Sequence, residues 1–468
     1  MPKIKVSLLE TYFVYLGIFL YVLAFIFISL HRYWQFNAFW YDFGILDEAI
    51  WKLSRFQLPV IISLNPPIGK IIWADHFNPS SIFLAPLYWF TDKQEIVFVA
   101  QAVFVGLSSV IAYLLARQFV KNAIVRISLI VSYLGYTGLQ NALYTDIHNI
   151  VYSLLPFMIA VWAVYKRKWW FYWIFFIIFL GFQENLANMG FGFGFFLILK
   201  NRKEWKIGFL TIIVSLLWAI GSTKMTPIFD PPNQYVYQPH WPASISEWFI
   251  KFSYPVIKLK TIFFTYASFG FLPLGAISIL PMVLGNFSER FVLNVAGTRW
   301  DLGFHYNSVL SPIMFLGSLE MIIFLQKKKW SLKLLKIWAG LTILLVIFLH
   351  RFYLHGPLML ATHPYFYKET ASTQFLNDFV DKIPKNGLIM AQNNIVAHLI
   401  HNKAFLLNEG FDLIKPDVVA IDARPGQNAN NFYPLSESQV KTIIGKLTID
   451  PSYKNISDIN EQYIFVRK

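Results

Sequence analysis

Long apolar runs, joined one to the next by short polar linkers, govern what this chain can fold into. A helix needs about 20 mostly apolar residues to cross a bilayer, because lipid offers no partner to a bare backbone N–H or C=O. Runs of that kind occupy residues 9–30, 94–117, 123–140, 149–165, 169–183, 186–199, 206–224, 262–286, 306–326 and 331–349. With 56% hydrophobic and only 14% charged residues over 468 positions, the composition excludes an ordinary soluble enzyme. The expected fold is an α-helical polytopic membrane protein with about 10 to 12 transmembrane or re-entrant helices. The first run follows Lys3 and Lys5 and leads into His31-Arg32-Tyr33-Trp34 rather than a small-residue cleavage site, so it reads as a retained first helix.

The net charge of +14 raises nucleic acid as a partner, but the basic residues sit mainly in the linkers between apolar runs. Cytoplasmic loops collect Lys and Arg, so orientation explains the charge and no nucleic-acid partner is expected. Placing Lys3 and Lys5 in the cytoplasm and counting crossings puts Arg117, Lys121 and Arg126 inside, then Lys166, Arg167 and Lys168, then Lys200, Arg202, Lys203 and Lys206. The loops at 31–92, 141–148, 183–188 and 225–260 then face outward, with Asp42, Asp47, Asp75, His76, Asp146, His148, Glu184, Asp230 and His240. Gly270-Phe271-Leu272-Pro273-Leu274-Gly275 interrupts the run 262–286 and predicts two short or re-entrant helices. That hairpin returns Lys327, Lys328 and Lys329 to the cytoplasm and turns His305 outward. Residues 1–358 are thus expected to form the membrane domain of an integral plasma-membrane protein, with its N-terminus cytoplasmic.

Residues 359–468 carry no spanning run. Strand-like segments at 387–391 and 418–422 alternate with helical patterns at 370–383 and 436–447, predicting a small α/β domain that parity puts outside the cell. The chain has no cysteine, so neither a disulfide framework nor a thiolate metal site exists. No Walker loop and no His-Glu-x-x-His pattern is present, and the alternating glycines Gly190, Gly192 and Gly194 read as a helix-packing face.

Chemistry concentrates in the first outer loop. Asp42 stands upstream of a predicted helix that begins near Asp47 and Glu48, where acids also cap a helix and favour its dipole. A carboxylate there can take the proton of an attacking hydroxyl. It can also hold a divalent cation, Mg or Mn, that neutralises a phosphate; Asp42 and Asp47 would be the ligands. Asp75-His76 can move a proton or bind a ligand, though a loop turn accounts for Asp75 as well. Asp146 and His148 sit at the outer end of a span, where simple solvation is the plain alternative. Glu184 interrupts an apolar stretch: in a loop it is solvated, at membrane depth it needs a partner. His305 opens the next span beside Tyr306, fitting either a phosphate contact or an interfacial aromatic belt. Arg290, Arg299 and Arg351 offer guanidinium forks for phosphate oxygens.

Tyr41-Asp42-Phe43-Gly44-Ile45-Leu46-Asp47, Ile50-Trp51, Asp75-His76-Phe77-Asn78-Pro79, Asp146-Ile147-His148, Glu184 and Phe304-His305-Tyr306 together resemble a family of predicted membrane proteins, domain of unknown function 2079. That family looks like a branch of the C-type glycosyltransferases, polytopic enzymes that take sugars from polyprenyl-phosphate carriers on the outer face. Asp47-Glu48-Ala49 is similar to the Asp-Glu motif of the superfamily's mannosyl and aminoarabinose branches, whereas the family's own signature centres on Asp42. The resemblance implies a polyprenyl-phosphate sugar as donor and a glycan, lipid or protein as acceptor, with membrane lipids around it. Asp42 or Asp47 would be the catalytic base; Asp75, His76, Asp146, His148, Glu184 and His305 would bind substrate. The rival expectation is a transporter or flippase for a lipid-linked glycan, although the internal repeats common in transporters are not visible. A scaffold presenting the C-terminal domain would leave the carboxylates unexplained.

Overall fold

The computed structural model describes residues 6–66, 68–229, 237–294, 296–328, 332–368, 371–457 and 459–468; Lys3, Lys5, Asp230 and Lys329 lie outside them. It is the mostly helical membrane protein that the apolar runs imply. Among the described residues, five helices are long and apolar enough to cross a membrane: Leu8–Trp34, Glu95–Phe119, Arg202–Phe229, His305–Lys327 and Leu332–Tyr353. The shorter apolar helices Ala123–Gly135, Asn149–Tyr165, Trp169–Leu180 and Leu186–Lys200 account for further runs.

Local chemistry decides where a run is broken. The run 123–140 divides at Tyr136, whose extended backbone separates helix Ala123–Gly135 from Thr137–Tyr144. The run 262–286 divides as its breakers predict: helix Ile257–Ala267 stops, Gly270 and Phe271 take left-handed φ of 57° and 58°, and a helix resumes at Leu280–Phe291. Glycine is needed at 270, since a Cβ there would strike the Thr342 side chain.

The chain divides into two compact units: Met1–Ile28, Trp73–Ser80 and Val99–Thr362 in one, Ser29–Ile72, Ser81–Phe98 and His363–Lys468 in the other. In the first, helix Leu186–Lys200 packs against Trp205–Met225 and Leu280–Phe291 through the glycine face. A Cβ on Gly192 would lie 2.6 Å from the Met282 backbone, and one on Gly194 would lie 2.7 Å from the Gly208 carbonyl. The helices approach that closely only because nothing projects between them. Elsewhere in this unit a buried charge is matched in kind: Glu10 accepts from Arg126 Nε at 2.6 Å, from Arg126 Nη2, and from Tyr113 Oη at 3.1 Å. A buried carboxylate tolerates its desolvation only with such partners.

The second unit is built on a five-stranded sheet. Strands β1 (Val60–Ile61) and β2 (Lys70–Ile71) form a separate small hairpin, and the sheet itself holds β3 (Ile389–Ala391), β4 (Ala404–Leu406), β5 (Val418–Asp422), β6 (Tyr453–Asn455) and β7 (Gln462–Arg467). The order is β4-β3-β5-β7-β6, with β4, β3 and β5 parallel and β7 antiparallel to β5 and β6. Every residue of β5 is buried, as expected of a strand covered on both faces. Helix Glu437–Ile449 starts on a capping box between Ser436 and Gln439 and packs Val440, Ile443, Ile444 and Leu447 into the core with Met390, Phe405 and Val419.

Segments 29–72 and 81–98 fold with this sheet. Trp40 N–H donates to Asn393 Oδ1 at 2.9 Å, Leu406 N–H to Ser63 Oγ at 2.8 Å, and Gln94 Nε2 to the Ala397 carbonyl at 2.9 Å. His398 stacks on Tyr33 at 4.3 Å, and burial pushes it down to about 3, so the ring packs neutral.

The glycine face yields a direct expectation. Gly192→Leu forces a side chain into the Met282 backbone and lowers stability by at least about 1–3 kcal/mol, while Gly17→Ala, where a Cβ meets nothing within 4 Å, leaves it unchanged or slightly higher. Thermal unfolding of the detergent-solubilised protein checks both.

Candidate functional site

In the helical unit, the segment Trp73–Ser80 is pinned to the turn between helices Trp169–Leu180 and Leu186–Lys200. Ser80 N–H donates to the Gly181 carbonyl at 2.8 Å, and the absent side chain of Gly181 leaves room for Ser80 Oγ, which a Cβ would meet at 2.2 Å. This contact brings His76 to Glu184: Nδ1 lies 2.7 Å from Oε1. Glu184 is therefore in a loop yet buried, with an imidazole against one of its oxygens.

Tyr237 extends the cluster. Its ring stacks on His76 at 4.4 Å and 7°, and its hydroxyl donates to Asp75 Oδ1 at 3.3 Å. The Arg299 guanidinium lies 5.8 Å from the Tyr237 ring and 4.7 Å from the Tyr306 ring, with Nη1 3.3 Å from Glu289 Oε1. A cavity of about 240 Å³ opens here, lined by His76, Glu184, Tyr237, Trp241, Glu289 and Arg299. Burial alone would push the His76 imidazole down, but Glu184 and then Asp75 outweigh it and hold it up to about 9. It is a cation at neutral pH. Burial, reinforced by the nearby Asp75 and Glu184 charges, pushes the Tyr237 hydroxyl up, so it remains a donor.

His305 packs against Tyr306 at 4.0 Å with the rings tilted by 41°, and stacks on His148 at 3.6 Å. His148 is held in turn: its Nε2 lies 2.5 Å from the Thr145 carbonyl, and its N–H donates to Gln101 Oε1 at 2.8 Å. The same glutamine donates from Nε2 to the Asp146 carbonyl at 2.9 Å, which braces a turn where Asp146 takes φ of 74°. An unbroken row of contacts thus joins His76, Tyr237, Arg299, Tyr306, His305 and His148. Arg290 does not join it as a clamp; it is buried, with Nε donating to the Arg299 carbonyl at 2.9 Å. Arg351 is exposed and lies outside the cavity lining.

Asp42 and Asp47 belong to the other unit and meet different fates. Asp47, in helix Ile45–Ser54, is fully buried. It accepts from Tyr88 Oη and, at 2.8 Å, from Gln94 Nε2, and His401 Nε2 lies 3.1 Å from Oδ2. His401 stacks on Trp51 at 4.7 Å. Beside it, burial pushes Glu48 up to about 7 against the opposing pull of Lys52, whose Nζ lies 2.6 Å away. Asp42 is exposed in the turn preceding that helix, with φ 63° and ψ −70°. That γ-turn geometry costs a non-glycine residue on the order of 1–3 kcal/mol.

Both Asp47 oxygens face N–H or O–H donors, whereas a divalent cation needs lone pairs, so this carboxylate does not fit a metal with its neighbours as arranged. Among the described residues no group of three or more His, Asp or Glu side chains has metal-binding geometry. Tyr237, Gln94, Tyr88 and His401 were not singled out by sequence. The His398-x-x-His401 spacing is the visible signal for the last, but its partner Asp47 stands far upstream and nothing local pairs them.

The sequence model of the family described as predicted membrane protein (DUF2079) matches residues 32–449. Among solved structures, the crystal structure of ArnT from Cupriavidus metallidurans bound to undecaprenyl phosphate is similar, with a TM-score of 0.57, 9% identity, and 98% of each chain covered. At that identity the likeness concerns the fold. A comparison with curated proteins finds no match.

The raised His76 basicity has a measurable consequence. A histidine whose folded pKa exceeds its unfolded value stabilises the fold fully below the unfolded value, about 6.5, and loses that contribution as pH rises through the folded one. The melting-temperature advantage of the wild type over His76→Gln is expected to be constant in mild acid and to shrink as pH climbs through about 9. An advantage that grows with pH would contradict the His76–Glu184 pairing.

Proposed function

The chain belongs to the DUF2079 family of predicted membrane proteins, and from that starting point we propose that it is a membrane glycosyltransferase moving a sugar from a polyprenyl-phosphate donor to an acceptor hydroxyl on the outer face of the plasma membrane. The row of His76, Tyr237 and Arg299 along the cavity carries this reading. It brings an imidazolium and a guanidinium, each beside a carboxylate, to one cavity, where their other N–H groups can donate to phosphate oxygens. The chain's likeness in fold to a protein bound to undecaprenyl phosphate supports a polyprenyl-phosphate lipid as the carrier. On this reading the N-terminus is cytoplasmic and the polar loops, with residues 359–468, lie outside.

In the proposed step, the acceptor oxygen attacks the anomeric carbon, the bond from that carbon to the phosphate oxygen breaks, and the polyprenyl phosphate leaves. A single displacement inverts the anomeric centre. A carboxylate takes the acceptor's proton, and Asp42, an exposed residue on a strained turn of its own unit, is the candidate for it. Asp47 has both oxygens engaged and anchors helix Ile45–Ser54 instead. His76 and Arg299 receive the leaving phosphate; Glu184 and Asp75 keep the imidazole charged, and the stacked Tyr237 ring orients it. His148 and His305 support the row from behind Tyr306.

Membranes holding wild type, Asp42→Asn and Asp47→Asn, supplied with a panel of polyprenyl-phosphate sugars, test this by mass spectrometry of the products. Asp42→Asn should insert, melt like the wild type, and lose about 10²-fold or more of the transfer rate. Asp47→Asn should chiefly lower the melting temperature. Full transfer by Asp42→Asn together with loss in a folded Asp47→Asn would make Asp47 the base. Transfer by neither the wild type nor the variants, with lipid-linked glycan crossing the membrane instead, would replace the transferase with a transporter.

A further inference from the structure

The sheet of the second unit has a feature that sugar transfer does not use. Its parallel strands β3 and β5 end side by side at Ala391 and Asp422, and the chain leaves β3 for β4 on one side of the pair and β5 for β6 and β7 on the other. Ligands of open α/β sheets bind in the crevice beyond such strand ends, where the order reverses. A cavity of about 490 Å³ lies there, within the range of small-molecule sites. Its lining comes from the loops that leave the two strands, with Asn394 after β3 and Arg424, Gln427 and Asn431 after β5, and from Asn37 and Phe375.

Amides dominate this lining, and they are braced against one another. Gln392 Nε2 donates to Asn394 Oδ1 at 3.1 Å while Gln392 Oε1 accepts the Asp422 N–H at 2.7 Å. Gln427 Nε2 donates to the Asp422 and Arg424 carbonyls at 2.8 and 2.9 Å, and its Oε1 accepts from Asn431 Nδ2 at 2.9 Å. Asn394 is fully buried, yet its Nδ2 has no hydrogen-bond partner among the described residues. An amide N–H₂ left bare in this way costs about 1–3 kcal/mol unless something accepts from it. Asn394 is among the residues that line the cavity.

The charge pattern selects the ligand. Arg424, the one cation among the described lining residues, grips the buried Asp422 through Nε and Nη2, both at 2.8 Å, and is neutralised by it. Phe375 is 46% exposed and lies 5.2 Å from the guanidinium carbon, giving one wall an apolar face beside the polar ones. A neutral molecule with many hydroxyls and a C–H face meets both halves of this lining, whereas a phosphate or carboxylate would find no uncompensated charge. We propose that this cavity is a binding site for a neutral saccharide, with Asn394 Nδ2 donating to a hydroxyl or ring oxygen and Phe375 carrying the sugar's C–H face. The site stands on the sheet's own geometry and holds whether or not the transferase reading does.

Purified full-length protein in detergent, without any lipid-linked donor, is titrated by saturation-transfer NMR with glucose, galactose, mannose, N-acetylglucosamine, cellobiose, lactose and chitobiose. Glucuronate and inorganic phosphate serve as charged counterparts. At least one neutral saccharide should bind at millimolar concentration or below, and the charged probes should not. Asn394→Leu should weaken that binding about tenfold or more, equivalent to about 1.4 kcal/mol. Should Asn394→Leu fail to fold, the surface variant Phe375→Ala decides, and it too should weaken binding. No saccharide binding by the wild type, equal binding by wild type and Phe375→Ala, or a preference for the charged probes overturns the proposal. Saccharide binding by a protein that transfers no sugar would count against the transferase alone.

Discussion

A bilayer admits a polypeptide only when its backbone hydrogen bonds are closed on themselves, and every other feature of the helical unit works within that demand. Helices meet it directly. Two buried carboxylates in this unit are paired, Glu10 with Arg126 and Glu184 with His76, because an uncompensated ion away from water is costly. Small residues do the complementary work. Gly192 and Gly194 let backbones meet, so the helix that begins just after Glu184 is set rigidly against two others.

That rigidity is what positions the candidate donor site. The turn carrying Glu184 is held between two packed helices, and one backbone hydrogen bond from Ser80 to Gly181 sets the loop that carries His76 against it. From this pair outward each group orients the next: carboxylate to imidazole, imidazole to Tyr237 ring, ring to guanidinium. The result is a wall of imidazole, phenol and guanidinium groups, each held by a carboxylate, assembled from residues that are scattered along the sequence. In the other unit the same logic distinguishes two neighbouring acids. Asp47 accepts from a tyrosine and an amide with a histidine nitrogen close by, while Asp42 is exposed on a strained turn.

Much of this was legible before any coordinates. The apolar runs correspond to observed helices, the glycine and proline cluster at 270–275 breaks its run, and the tail forms the α/β sheet that its alternating segments suggested. Asp75, His76, Glu184, His148 and His305 could be picked out because a polar group stands out against apolar sequence. Tyr237, Tyr88, Gln94 and His401 could not, since their residue types are common and their partners are remote in the chain. The choice between Asp42 and Asp47 was equally closed to sequence: burial and backbone angle separate them, and neither is a property of residue type.

Hydrophobicity and its period therefore determined by themselves that this is a polytopic helical membrane protein with a small α/β portion, because spanning length and strand alternation are local quantities. Tertiary structure alone decided which polar groups meet. It joined segments 29–72 and 81–98 to the C-terminal sheet, buried Asp47 and exposed Asp42, and paired His76 with Glu184. These outcomes depend on contacts between residues far apart in sequence, where the cost of leaving a buried polar group unmatched, rather than any local propensity, selects the partner.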